Sequence, residues 1–121
     1  MEIVKEYEDN VKWTSKLREA IEEDRIVPYF QPIVNAATGS IEKYEALIRM
    51  HDNVGKTISP YYFLEISKKA KLYGTLTKTM FAKTLKMFEN SKYPVAFNIS
   101  TEDILNESVK EFILLKTEES M

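Results

Sequence analysis

Residues 40–50 read Ser-Ile-Glu-Lys-Tyr-Glu-Ala-Leu-Ile-Arg-Met, and their alternating pattern is typical of a β-strand. Successive side chains of a strand point to opposite faces, so this strand has two unlike surfaces. One surface is apolar and suits packing against helices, and it consists of Tyr44, Ala46, Ile48 and Met50. The other mixes charged and apolar side chains, namely Ile41, Lys43, Glu45, Leu47 and Arg49. The pattern therefore predicts a strand that separates a helix-packing layer from a more polar one.

A second strand is predicted directly before it. Residues 26–35 are rich in β-branched and aromatic side chains, and residues 36–39 are short enough for a hairpin loop. Gly39 can take the positive φ that such a loop often needs. We therefore expect the first two strands to be antiparallel. Pro28 and Pro32 cannot donate ladder hydrogen bonds, so the first strand should be irregular or lie at a sheet edge.

The chain begins with a predicted helix over residues 1–24, which we separate from the domain proper at residues 25–121. Apolar residues recur there mostly at steps of three and four, with Lys and Glu between them. Two interpretations stay open. The helix can link this domain to another and carry a signal, or it can be an amphipathic helix that covers the bottom of the domain.

Helices and one more strand are predicted after the hairpin. Ser59 followed by proline indicates a helix over 60–70, because serine caps the helix and proline fits its first position. We expect that helix to stop near Gly74, with another helix directly after it. Residues 94–100 read as a third strand, and Ser100–Asp103 resembles a capping box that opens a last helical stretch. Strands interleaved with helices make this an α/β chain.

Composition excludes several classes of function. The 121 residues fit one domain, and the chain has no cysteine, which excludes disulfides, zinc–thiolate sites and cysteine nucleophiles. A net charge of -2, with Lys and Glu interspersed, gives no electrostatic footprint for a nucleic-acid polymer. No apolar run approaches the roughly 20 residues of a membrane span, and no signal-peptide pattern is present. We therefore expect a cytoplasmic protein without a membrane span.

Two polar side chains on the predicted strands can carry chemistry. If both faces of the sheet are covered, as in α/β folds, Glu45 is enclosed and needs a metal ion or a counter-charge. The residues alone leave open whether this is a functional site or a structural Glu45–Arg49 pair. Asn98 has a similar ambiguity. Its carbonyl beside a carboxylate suits Mg²⁺ or Mn²⁺, but a residue just before a helix can equally be a turn or capping residue.

Four ordered blocks between residues 26 and 105 resemble the opening half of bacterial EAL domains. They are Phe30-Gln31-Pro32-Ile33, Glu45-Ala46-Leu47-Ile48-Arg49, Ile58-Ser59-Pro60 with Phe63, and Phe97-Asn98-Ile99-Ser100. Residues 10–13 are also similar to the lead-in of EAL domains that follow a GGDEF or other sensory domain. The resemblance thus implies an upstream signalling domain as a partner.

The resemblance also implies a fold and a reaction. The family has a (β/α)₈ TIM-type barrel whose first strand runs antiparallel, and it hydrolyses cyclic di-GMP to linear pGpG with Mg²⁺ or Mn²⁺. By resemblance, Glu45 and Asn98 bind metal, with Glu45 as the catalytic residue. Gln31 contacts a guanine base, Leu47 packs on the ligand and Arg49 grips a phosphate. The chemistry is consistent, because divalent cations activate water and arginine offers paired donors to phosphate oxygens.

The resemblance covers only the early part of the family's domain. A TIM-type barrel needs about 250 residues and eight strands, whereas three strands are predicted here. The family's later acidic ligands, its Asp-Asp-Phe-Gly segment and its catalytic lysine would lie beyond Met121. We therefore expect a truncated EAL domain that is inactive as an isolated chain and forms homo-oligomers through its open barrel edge. The alternatives are a non-enzymatic cyclic-di-GMP-binding or dimerisation module, and a helical linker protein whose strand charges are structural.

Overall fold

The computed structural model describes residues 2–120, which form five α-helices and a small sheet. The helices are α1 (Glu2–Glu22), α2 (Leu64–Lys69), α3 (Tyr73–Phe88), α4 (Thr101–Leu105) and α5 (Glu107–Ser120), and a 3₁₀ turn spans Pro60–Tyr62. The strands are β1 (Ile26–Val34), β2 (Ile41–His51), β3 (Thr57–Ile58) and β4 (Val95–Ala96). The order of these elements is that of an α/β chain, as predicted.

The predicted hairpin is present. β1 and β2 pair antiparallel, with Gln31 opposite Glu45, and the register shifts once between Ile33 and Val34. The loop is stabilised by the Asn35 side chain, whose Oδ1 accepts hydrogen bonds from the next backbone N–H groups, and Gly39 has a φ of +73°. Among the described strands β1 pairs with β2 alone, which places its two prolines at a sheet edge.

The core lies where α1, the hairpin, α2 and α3 meet. Its buried apolar members are Leu17, Ala20, Ile26, Met50, Phe63, Leu76 and Met80. The later part of α1 supplies two of them, and Trp13 stacks on Tyr62 at 5.4 Å between ring centroids. Residues 3–9 of α1 are exposed throughout. The helix ends at Glu22 because Asp24 has a φ of 58°, which a continuing helix cannot hold.

The middle helices differ in detail from the sequence expectation. Ser59 does cap the predicted start, since its Oγ accepts from Tyr61 N at 3.3 Å, but a 3₁₀ turn precedes α2. The expected stop near Gly74 is wrong. Lys71, with a φ of 60°, ends the preceding turn, and Gly74 lies inside α3. A Cβ on Gly74 would come within 3.2 Å of the Val109 side chain, so its role is close packing with α5.

The last third of the chain contains two short helices where one stretch was expected. Ser100 and Asp103 form the predicted capping box at the start of α4. Asn106 then leaves the helical conformation and its side chain accepts from Val109 N, which starts α5. In the part of the chain that the structure describes, no helix has the length and apolarity needed to cross a membrane.

Candidate functional site

The hairpin presents the predicted polar residues on one face of the sheet. The opposite face packs on α3, where Phe88 contacts Phe30 and Tyr44 at ring-centroid distances of 4.8 and 5.8 Å. Alternation therefore turns Gln31, Glu45, Leu47 and Arg49 away from α3. Glu45 and Gln31 are directly opposite each other in the register. The helix-packing layer and the polar layer predicted from residues 40–50 are thus both observed.

Asn98 is brought to Glu45 by the short parallel strand β4. Tyr44 N donates to Pro94 O at 3.1 Å, and Glu45 pairs with Ala96 in the register. Two residues further on, Asn98 Nδ2 lies 3.4 Å from Glu45 Oε2, a long hydrogen bond. The cap of α4 is Ser100, so Asn98 is not the capping residue that the sequence left as an alternative.

β4 is much shorter than the strand expected over 94–100. Only Val95 and Ala96 pair with β2, and the chain then turns towards the start of α4. Ser100 is the N-cap of α4 and bonds to Asp103 there. Phe97 packs edge-on against Phe81 of α3, with 5.2 Å between the ring centroids. Asn98 therefore lies beyond the strand rather than within it, where its exposed amide faces the Glu45 carboxylate.

Arg49 does not pair with Glu45. Its Nη1 donates to Ile48 O at 2.6 Å, and no salt bridge joins it to Glu45 within residues 2–120. The structural ion pair that the sequence left open is therefore not formed. The half-buried Glu45 carboxylate keeps only the weak contact with Asn98, and the guanidinium is held by a neutral carbonyl that an anion can replace.

A cavity of about 190 Å³ adjoins these groups. Its walls come from β2, α2, α3 and the chain after β4, including Leu47, Arg49, Pro60, Phe97 and Asn98. The lining is mainly apolar with a few polar groups, which is the usual character of a small-molecule site. Gln31 lies on the same face but on the neighbouring strand β1, where it is exposed and does not line this cavity.

One polar cluster on the same face was missed from the sequence. The Tyr29 hydroxyl lies 2.9 Å from His51 Nε2 and 2.7 Å from Thr57 Oγ1, so it joins β1, β2 and β3. The alternation that selected Glu45 and Arg49 also places His51 on their face, and Tyr29 is two residues before Gln31. Continuing the alternation of each strand by one more residue, from Arg49 to His51 and from Gln31 back to Tyr29, would have found this cluster.

The donors present fit a hard divalent cation in part. Carboxylate and amide oxygens are the ligands that Mg²⁺ and Mn²⁺ prefer, and Glu45 and Asn98 supply one of each. In the observed arrangement the amide nitrogen faces the carboxylate, and a half-turn of the amide presents its oxygen instead. Residues 2–120 contain no cluster of three or more His, Asp or Glu side chains arranged to hold a metal ion.

Comparison with known proteins identifies the family and the fold. The sequence pattern described as the EAL domain matches residues 14–120. Among curated proteins, the probable cyclic di-GMP phosphodiesterase PdeG of Escherichia coli K12 is 34% identical over 85 residues, covering 69% of this chain and 17% of PdeG. The cyclic di-GMP phosphodiesterase PdeB of Shewanella oneidensis is 27% identical over 108 residues, covering 84% of this chain and 13% of PdeB.

Solved structures with the same fold include two complexes with cyclic di-GMP. The PaMucR phosphodiesterase superposes with a TM-score of 0.80 at 20% identity, covering 90% of this chain and 47% of that one. The FimX EAL domain of Pseudomonas aeruginosa gives 0.79 at 19% identity, covering 89% and 45%. The predicted partial TIM-type barrel, with its first strand antiparallel, is thus confirmed. The chain spans less than half the length of each of these relatives.

Proposed function

The chain belongs to the EAL domain family, and from that premise we propose that it binds cyclic di-GMP and contributes to a divalent-metal site for its hydrolysis to pGpG. One observation supports the proposal more than any other. The β2–β4 pairing brings Asn98 to 3.4 Å from Glu45, beside a cavity that Leu47 and Arg49 line. The carboxylate and the amide can bind a metal ion, the guanidinium can bind a phosphate and the apolar wall can pack on a base. A metal-bound cyclic dinucleotide needs these groups together.

The ligand would be held by residues with separate tasks. Arg49 would exchange its bond to Ile48 O for two charge-assisted bonds to a phosphate, a stronger interaction than one neutral carbonyl offers. Leu47 would pack on the ligand from the cavity wall. Gln31, opposite Glu45 on the exposed side of the hairpin, would contact a guanine base through its amide.

Glu45 and Asn98 would hold Mg²⁺ or Mn²⁺ through their oxygens. When bound, such a cation supplies polarisation of a phosphate oxygen and a more acidic water molecule. Glu45 would contribute the negative charge at this position, and Asn98 would contribute its amide oxygen after the half-turn of the amide that replaces its contact with Glu45. We place this activity in second-messenger signalling in the bacterial cytoplasm, with a GGDEF or sensory domain as the partner upstream.

A second candidate is a cyclic-di-GMP-binding module without hydrolysis. The observation that favours it is the cavity itself, because its largely apolar lining can hold a base without any metal ion. Glu45 and Asn98 are also too few ligands for the two cations of a hydrolytic centre. We therefore expect this chain alone to show ligand binding without useful turnover.

Two measurements on the purified chain test both candidates. Calorimetric titration with cyclic di-GMP, with and without Mn²⁺, should show binding that Arg49→Ala weakens by at least tenfold, since a charge-assisted pair is lost. Chromatography of the nucleotide after incubation with Mg²⁺ or Mn²⁺ should show no pGpG above a metal-free control. Absence of any binding would contradict the proposed function, and metal-dependent pGpG formation would contradict the expected inactivity.

A further inference from the structure

The first three turns of α1 have an apolar stripe that nothing in the described structure covers. Its members and their exposed fractions are Ile3 82%, Val4 53%, Tyr7 70% and Val11 53%. At 3.6 residues per turn they lie within an arc of about 100° around the helix. Lys5, Asp9 and Lys12 lie on the opposite side. Single exposed apolar residues are ordinary, but an amphipathic pattern on a free helix segment is not.

This stripe is distinct from the surface that α1 uses to pack on its own domain. The packing surface is formed by Trp13, Leu17 and Ala20, which contact the 3₁₀ turn and the core. It is displaced by about a third of a turn from the centre of the stripe. The helix therefore has two apolar surfaces, and its own domain covers only one of them.

We propose that this stripe pairs with the same stripe of a second copy of the chain, in a parallel, in-register two-helix contact. The spacing is that of a coiled coil, because Val4 and Val11 are seven residues apart and Tyr7 lies between them at the second apolar position of the heptad. β-branched residues at the first apolar position favour two-stranded parallel pairing. The inference does not depend on the proposed function, since it involves none of the site residues.

The charges of the segment are consistent with self-pairing. In a parallel pair, the residues that flank the apolar seam next to Val11 are Asn10 of one copy and Ser15 of the other. Both are uncharged, so no like charges meet there. Residues 3–12 carry three acids (Glu6, Glu8, Asp9) and two lysines, a net charge of -1. That charge does not favour an anionic membrane surface as the occupant of the stripe.

The contact should be weak and concentration-dependent. Fewer than two heptads are available before Thr14, which already lines a shallow surface pocket with Ile66 and Ala70 of the domain. Isolated helices and short coiled coils are marginal in water, so the stripe contributes modestly by itself. Its consequence is geometric, because α1 continues from the stripe into the Trp13–Tyr62 stack and would hold two domains side by side.

Site-directed disulfide formation tests the arrangement directly, since the chain has no native cysteine. A disulfide needs Cα atoms within about 7 Å, a condition that a residue at the helix contact meets with its own equivalent. We expect Val11→Cys to form disulfide-linked dimers under mild oxidation at least tenfold faster than Asp9→Cys, its matched control on the opposite side of the same turn. Both residues are exposed, so neither change should alter the thermal melting temperature.

The outcomes separate the possible arrangements. Faster cross-linking of Val11→Cys, abolished by adding Tyr7→Glu, supports the proposal. Equal rates for Val11→Cys and Asp9→Cys overturn it, because a stripe that does not pair with itself gives Val11 no advantage over Asp9. A mixture of Val4→Cys and Val11→Cys chains that cross-links only as the mixed dimer overturns the parallel register in favour of an antiparallel one.

Discussion

Glu45 tests whether the polar face of β2 is functional. The carboxylate has no salt bridge to Arg49, so replacing it with glutamine should leave the free energy of unfolding almost unchanged. The same Glu45→Gln change removes the charge that a divalent cation needs, so Mn²⁺ binding should be lost. Thermal melting without metal and Mn²⁺ titration by electron paramagnetic resonance should be measured side by side.

The matched control is Glu42→Gln, three residues earlier on the same strand. Glu42 is exposed and accepts a hydrogen bond from Asn35 Nδ2, away from Asn98. The Glu42→Gln change should therefore leave both Mn²⁺ binding and the free energy of unfolding almost unchanged. Breaking a buried ion pair would lower the free energy of unfolding by about 3–5 kcal/mol. If Glu45→Gln destabilised the fold by that much and left Mn²⁺ binding unchanged, the metal-ligand role would be refuted.

Two threonines of α3 differ in hydrogen bonding although both are buried. Thr84 is 2% exposed and its Oγ1 has no partner, so its hydroxyl carries a desolvation cost without compensation. Thr84→Val keeps the shape and removes that hydroxyl. We expect the variant to be more stable by about 1 kcal/mol, measured by chemical denaturation.

Thr77→Val is the control with the opposite sign. Thr77 Oγ1 donates to Asp103 Oδ1 at 2.6 Å, and Asp103 is 2% exposed. Valine there leaves a buried carboxylate oxygen without its donor, which should cost about 1–3 kcal/mol. A loss of stability in both variants would show that Thr84 has a partner, such as a buried water, that stabilises the fold.

At the scale of elements, Gly74 lies where α3 packs closely against α5. An added Cβ would lie 3.0 Å from Asn106 Nδ2 and 3.2 Å from Val109 Cγ2, and Val109 is fully buried. Alanine favours a helix over glycine by up to about 1 kcal/mol, but overpacking typically costs about 1–3 kcal/mol. We therefore expect Gly74→Ala to lower the melting temperature.

Thr75→Ala provides the comparison for Gly74→Ala. Thr75 is exposed in the same turn, so the change alters helix propensity without adding atoms to the interface with α5. It should leave stability unchanged or raise it slightly. If Gly74→Ala raised the melting temperature as well, the close packing of α3 on α5 would not be what requires glycine.

Elements with a local signal were predictable from the sequence, and those that depend on distant contacts were not. Ser59 and the Ser100–Asp103 capping box mark helix starts through bonds to residues two or three positions away. The short length of β4 was not predictable from local sequence. The strand stops where it does because Ser100 bonds to Asp103 at the start of α4 and Phe97 packs on α3. Lys71 likewise takes its positive φ without any glycine signal.

The same division applies to the candidate site. Alternation along β2 predicted that Glu45, Leu47 and Arg49 share a face, because the period of a strand depends on the backbone alone. The approach of Asn98 to Glu45 depends on parallel pairing between residues more than fifty positions apart, and only the resemblance to a family suggested it. The bond from Arg49 to Ile48 O could not be predicted, since Ile48 lies on β2 between the residues that pair with β4 and those that pair with β3, and that pairing depends on distant parts of the chain.

At the scale of the whole molecule, the sheet edges formed by β1 and by β4 differ in their capacity to pair. At the edge formed by β1, Pro28 and Pro32 have no N–H to offer a further strand, and Ile26 O already accepts from Lys83. The edge formed by β4 has no such protection among the described residues. Ile99 is exposed three residues after β4, and Ile104 and Leu105 are exposed in the following helix α4.

We therefore expect the chain to self-associate through the β4 edge, independently of α1. Leu105 is 76% exposed, so Leu105→Glu should leave the fold intact while placing a charge in the apolar contact. Sedimentation velocity at micromolar concentrations, where a short helix contact contributes little, should show association by the unmodified chain and by Tyr7→Glu but much less by Leu105→Glu. Pairing would cover an unprotected strand edge and adjacent apolar side chains in one step, whereas β1 gains nothing from a neighbour. A compact, folded monomer for all three proteins would contradict this expectation, and association lost only in Tyr7→Glu would assign the contact to α1 instead.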